Sequence, residues 1–195
     1  MSAFPKSRVD ALTDGIFAIA MTLLVLDVRV PADLPISSAQ DLTAHLRSLL
    51  PQVVTYLISF FVLGAFWRGS IAARPTDACL DGAAVRLWLL FLFFVTTVPF
   101  SSSVVGQYGA YAPAVFVYAA NMIALGLLSI AARHLDLPRD QRSLAAAAGA
   151  HMPLFIASAV ASLLIALVAP HVAMYAYGLN ILSRLPFWPA GRSTS

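Results

Sequence analysis

A chain of 195 residues that is 60% hydrophobic and 11% charged, with a mean hydropathy of +0.83, excludes an ordinary soluble domain, where about a quarter of residues are charged. The formal charge of +3 comes without any basic cluster interleaved with aromatics, which excludes a nucleic-acid surface. The lone cysteine, Cys79, excludes an intrachain disulfide.

A bilayer core about 30 Å thick requires roughly 20 apolar residues per helix. Six such stretches occur, near 10–30, 50–71, 84–105, 112–133, 143–168 and 170–187, and together they predict an all-α membrane protein, one six-transmembrane-helix bundle over residues 1–195. The runs are continuously apolar and not alternating, which argues against a barrel of strands. The first is longer than the apolar region of a signal peptide, is interrupted by Thr13 and Asp14, and has no small-residue cleavage pattern after Leu26, so it is expected to stay in the mature protein. After the connection from Pro31 to Gln40, residues 41–50 fit a short amphipathic helix ahead of Pro51. Pro99, Pro113 and Pro153 fall in or beside later spans, where kinks rather than breaks are expected. The sixth span is short, and the opening motif is not duplicated within the chain.

Twelve Lys and Arg residues set the orientation. Lys6, Arg8, Arg68, Arg74, Arg86, Arg133, Arg139, Arg142, Arg184 and Arg192 fall on one side, while Arg29 and Arg47 fall on the other. Both termini are therefore expected in the cytoplasm. All nine acids are Asp, mostly at helix ends or in connections.

Other constellations carry little chemistry. His45, His134, His151 and His171 are scattered without metal-binding spacing, so no metal is expected, and no cofactor loop is present. Ser101, Ser102 and Ser103 lack a partnered base in sequence, and no enzyme activity is expected. Asn121 fits a hydrogen bond between helices. VVGQYG, residues 104–109, resembles a carbonyl filter, but Gln107 spoils the spacing and no separate pore helix precedes it.

The first span carries the most information. At 100° per residue, Leu12, Gly15, Ile19, Thr22, Leu23, Leu26 and Val30 share one stripe, onto which Arg8 also projects, and Phe17, Met21, Leu24 and Val28 share the opposite one. On pattern alone the first stripe fits bundle interior; the alternative is that it lines a conduit shared with other copies of itself. Arg8 and Asp14 stand too far apart for a contact one helical turn away. Each is expected to pair with another helix or subunit, and Thr13 or Asp14 fits a helix cap.

The same stretch, RVDALTD at 8–14, resembles the RxxxFSD signature of the transmembrane protein 175 family, the potassium channels of endosomes and lysosomes and their bacterial homologues, with Leu12 and Thr13 in place of Phe and Ser. GIFAIAMTLLVLDVRVP (15–31), TYLISFFVLGAFW (55–67) and LFLFFVTTVPFSSSVVGQY (90–108) resemble its bacterial members as well. After Trp67, where those members often carry a His pair, this chain reads RGSIAARP. The resemblance implies a homotetramer without a pore loop, in which helix 1 of each subunit lines a central pore. It implies Ile19 as the hydrophobic constriction, Leu23 and Leu26 as further apolar rings, Thr22 as a pore-facing hydroxyl, and Arg8, Leu12, Thr13 and Asp14 as the motif that holds the helix. Asp27 lies off the stripe and could add charge to an outer vestibule or pair with Arg29 or Arg47.

The expected function is that of a potassium-permeable cation channel in the lipid bilayer of a bacterial cell, with K+ as the transported ion, possible passage of other monovalent cations, and copies of itself as partner. The alternative is a secondary transporter or proton-coupled carrier that titrates Asp14 or Asp27. The spans contain no acid at mid-depth, which favours the channel.

Overall fold

The computed structural model describes residues 4–29, 36–72, 79–80, 82–136, 143–144 and 152–168. Within them the fold is almost entirely helical: α1 (Lys6–Leu23), running on into a 3-10 turn (Leu24–Asp27), α2 (Ala39–Ser48), α3 (Leu50–Ala72), α4 (Gly82–Thr96), α5 (Val98–Tyr108), α6 (Ala112–Asp136) and α7 (Met152–Ala166). Two dipeptides, β1 (Phe4–Pro5) and β2 (Cys79–Leu80), pair antiparallel and bring the start of α1 beside the approach to α4.

Lys6–Asp27, Leu50–Ile71, Gly82–Tyr108 and Ala112–Leu135 are long and apolar enough to cross a bilayer, matching the first four expected spans. Of the fifth, the described part is the apolar helix Met152–Ala166, and the sixth, 170–187, lies outside the described residues.

The start of the first helix differs from that expected, whereas the third span carries the kink expected at Pro99. Helix α1 starts at Lys6 rather than at residue 10, because Lys6 pairs with Asp10 one turn ahead, and the opposite charges allow the helix to extend outward. Thr13 and Asp14 are consequently inside the helix, and neither caps it: the capping position is Pro5, with no side-chain cap. The third span bends at Thr97 between α4 and α5, with Pro99 in the first turn of α5, where a missing N–H is tolerated. The Thr97 N–H still donates to the Phe93 carbonyl (3.2 Å) and the Ser101 N–H to that of Thr97 (3.0 Å), so this is a kink within one span.

The core is aromatic where the helices meet. Phe91 of α4 lies 6.1 Å from Phe17 of α1, 5.9 Å from Phe66 of α3 and 4.9 Å from Trp88, ring centre to ring centre, and Phe66 meets Phe155 of α7 edge to face at 5.1 Å. Helix α6 packs against α4, α5 and α7, whereas α1 packs on α3 and α4.

Buried polar groups tie the helices together. The Thr97 hydroxyl donates to Asn121 Oδ1 (3.1 Å) and Asn121 Nδ2 donates to Ser101 Oγ (3.0 Å), the interhelical role expected of this asparagine. The Ser59 hydroxyl donates to Ser102 Oγ (3.0 Å) and bonds the Tyr118 hydroxyl (3.0 Å). Thr97 and Ser101 also bond backbone carbonyls, of Phe94 and Val98, so Asn121→Leu should cost only about 1 kcal/mol, the usual worth of such a bond in a membrane bundle. Thermal unfolding in detergent measures it.

The amphipathic helix expected at 41–50 is α2, which begins slightly earlier, at Ala39. Ser38 caps it by accepting from the Asp41 N–H (3.1 Å), and the Asp41 carboxylate accepts from the Ser37 N–H (3.2 Å). The Ser38 hydroxyl first, and then the Ser37 N–H, hold the Asp41 carboxyl below its ordinary value. The carboxylate's share of the cap therefore contributes at neutral pH and is lost only as pH falls through that lowered value, while the Ser38 bond to the Asp41 N–H persists.

Candidate functional site: the outward face of the first helix

Helix α1 has two apolar faces, and only one is used inside the subunit. Thr13, Phe17 and Ala20 are buried where α1 meets α3 and α4, and Leu24 where the 3-10 turn meets α3 and α5, with Phe17 and Leu24 each 1% exposed. Ile19 is 60% and Leu26 61% exposed, and Leu12, Gly15, Thr22 and Leu23 lie open beside them. The expectation drawn from pattern alone, that the Ile19 stripe is bundle interior, is overturned. A helical wheel gives two apolar stripes and cannot say which finds partners; the aromatic cluster around Phe91 decides it by taking Phe17. Val30, the last residue of the expected stripe, lies outside the described residues.

From Ile19 to Leu26 the exposed stripe runs about 10 Å along the helix. Its one hydroxyl, Thr22 Oγ1, donates to the Ile19 carbonyl (2.8 Å). Its proton is thus used within the helix, and the oxygen lone pairs remain for an outside partner, so this face can offer a cation an oxygen ligand between exposed apolar side chains.

The polar residues near the start of α1 anchor the helix from the other side. Trp88 Nε1 of α4 donates to Thr13 Oγ1 (2.7 Å), and that hydroxyl donates to the Val9 carbonyl (2.7 Å). Trp67 Nε1 of α3 donates to Asp14 Oδ1 (2.8 Å). Adjacent positions 100° apart on one helix therefore reach two different neighbours. Arg8 and Leu12 are exposed, and Arg8 makes no ion pair among the described residues. Arg8 and Asp14 are not joined. The indole partners were missed from sequence; the available signal was that a Trp N–H placed in a bundle needs an acceptor. Thr13→Val removes the acceptor of a buried indole N–H and should cost about 1–2 kcal/mol, while Thr13→Ser should recover most of it, as read by thermal unfolding.

Asp27 is half-buried and faces away from the stripe, into a crevice shared with Gln52, Tyr56 and Ser102. Gly106 of α5 lies close against Gln52 there: a Cβ on Gly106 would sit 3.5 Å from the Gln52 Cα.

Residues 8–99 match the family model described as the endosomal/lysosomal potassium channel TMEM175. A protein from Streptomyces collinus named as a potassium channel is 36% identical over 127 residues, 63% of this chain and 60% of that relative. A rat protein named as an endosomal/lysosomal proton channel, TMEM175, is 39% identical over 67 residues, 32% of this chain and 13% of the relative. The matched region thus spans about 60% of the length of the bacterial relative and a small part of the mammalian one. The crystal structure of a lysosomal potassium-selective channel TMEM175 homolog from Chamaesiphon minutus superposes with a TM-score of 0.75 at 25% identity, over 90% of this chain and 94% of that one. The likeness thus runs through the helical bundle as well as the opening motif, and it is to the TMEM175 family that the chain is similar.

Proposed function

We propose that four copies of the chain assemble around α1 to form a potassium-permeable cation channel in a bacterial cell membrane, with residues 1–195 as one six-helix domain and both termini cytoplasmic. The observation that carries this reading is the open Ile19 stripe: a membrane-spanning helix leaves outward the face that carries Thr22, while its other face fills the core. One such helix cannot enclose a path alone, so cyclic symmetry is required. The names and the fold of the relatives support it.

In this assembly Ile19, Leu23 and Leu26 form apolar rings around the axis. A ring too narrow for a connected water column blocks ions by dewetting; a wider one passes a partly hydrated cation. Sodium loses more on shedding water than potassium does, and the Thr22 oxygens replace part of what is lost, which gives a modest preference for potassium. Thr13 and Asp14 hold the base of the helix through the two indoles, and Arg8 and Leu12, exposed in the single subunit, are left to contacts between copies. The carrier alternative is less favoured, because Asp14 bonds Trp67 and Asp27 lies off the stripe. Passage of protons, the activity in the rat relative's name, would need a water wire, since Ile19, Thr22, Leu23 and Leu26 do not titrate in the physiological range.

Native mass spectrometry from mild detergent, paired with potassium efflux from vesicles, tests this. A species at four times the 20.8 kDa chain mass and passive efflux are expected. Monomers alone would rule out the central path.

A further inference from the structure

The crevice behind the end of α1 has no part in the path just described. It lies between the 3-10 turn, the first turns of α3 and the last turns of α5, and its polar lining is Asp27, Gln52, Tyr56, Ser102, Ser103 and Gln107. It has room for about one water-sized sphere. Gln52 Oε1 is screened from solvent and has no hydrogen-bond partner among the described residues, an arrangement that calls for a donor or a cation. Ser102, on the inner wall, accepts from the Ser59 hydroxyl, and Ser103 from Gln107 Nε2 (3.0 Å), which leaves each oxygen one further lone pair for a ligand.

We propose that this crevice binds a single, largely dehydrated monovalent cation, with Gln52 Oε1 and the Asp27 carboxylate as its main ligands and the serine oxygens completing the shell. The sign follows from the lining, which includes one carboxylate and no Lys, Arg or His. The valence follows from that single carboxylate, since divalent cations are usually held by several carboxylates or keep much of their water. The size of the space fits one alkali ion in place of one water. Leu24 and Val28 form part of the same wall, and Leu26 of the exposed stripe sits between them in sequence. An ion bound here therefore ties the end of the stripe to α3 and α5, and its occupancy sets how firmly Leu26 is held.

Binding is tested without any conduction, so its failure is separable from failure of the channel reading. Thermal unfolding of the full chain in lipid nanodiscs is titrated with potassium or sodium chloride, with choline chloride holding ionic strength constant. A saturable stabilisation by the alkali ions is expected in wild type and in Thr22→Val, which alters only the stripe. Gln52→Leu should weaken the apparent affinity at least about tenfold, as for loss of one bond to a charged group. In choline alone it should be no less stable than wild type, since it also removes the unpartnered oxygen. Gln52→Glu should tighten binding and shift preference toward calcium, a change that a packing role would not produce. Equal alkali-ion dependence in wild type, Gln52→Leu and Asp27→Asn would overturn the site, and so would its absence in wild type, which would leave the crevice to water.

Discussion

Ile19→Asn is expected to raise single-channel conductance roughly tenfold, the effect of lowering a barrier by about 1.4 kcal/mol, and to lower discrimination between potassium and sodium. In the proposed tetramer, four amides at the Ile19 ring would hydrogen-bond water and offer oxygen ligands to any monovalent cation, so the dewetting penalty falls for both ions alike. The control is Leu24→Asn. Leu24 is on the opposite face, 1% exposed and part of the wall of the crevice behind the stripe, so an amide there replaces buried apolar packing away from the path. The cost should be about 2–4 kcal/mol in stability, with little effect on selectivity. Reversal potentials measured for both variants decide which face meets the ions: a shift with Leu24→Asn and none with Ile19→Asn would mean that the face is misassigned.

The largest expected loss of stability comes from Phe17→Ala. Its ring is buried beside Phe91 where α1, α3 and α4 meet, and truncation there leaves a cavity that rigid helices close only in part, costing about 3–5 kcal/mol. Ile19→Ala, two residues on, removes a side chain with few neighbours in its own subunit, so unfolding of a dissociated subunit should change by less than about 1 kcal/mol. In the proposed tetramer the same substitution acts on assembly, and the two variants separate packing within a subunit from packing between subunits. Comparable losses in isolated subunits would contradict the burial pattern.

The spans were legible in the sequence because an unbroken apolar run of bilayer length would be insoluble as a surface helix and is too long for a core strand. Helix α2 was legible as an amphipathic stretch ahead of Pro51, whereas its Ser38 cap, and with it the start at Ala39, shows only in the structure. Both faces of α1 were marked as well, yet the pattern ranked them wrongly, taking the Ile19 stripe as bundle interior. Phe17 and Ile19 are equally apolar, and only the partners supplied by α3 and α4, distant in sequence, distinguish them. The start of α1 was misplaced for a related reason: Lys6 and Asp10 look like a solvated flank until they are seen to neutralise each other across one turn. Thr13 and Asp14 resembled a cap because small oxygen-bearing side chains suit both caps and bonds between helices. Trp67 and Trp88, far along the chain, settle the choice.

The central claim is that ions pass along the Ile19 face. Its most direct test is single-channel recording of the purified wild-type protein in a planar bilayer, with potassium on one side and sodium on the other. A passive current that scales with driving force, and a reversal potential displaced toward that of potassium, are the expected result; the absence of any unitary current at either polarity would contradict it.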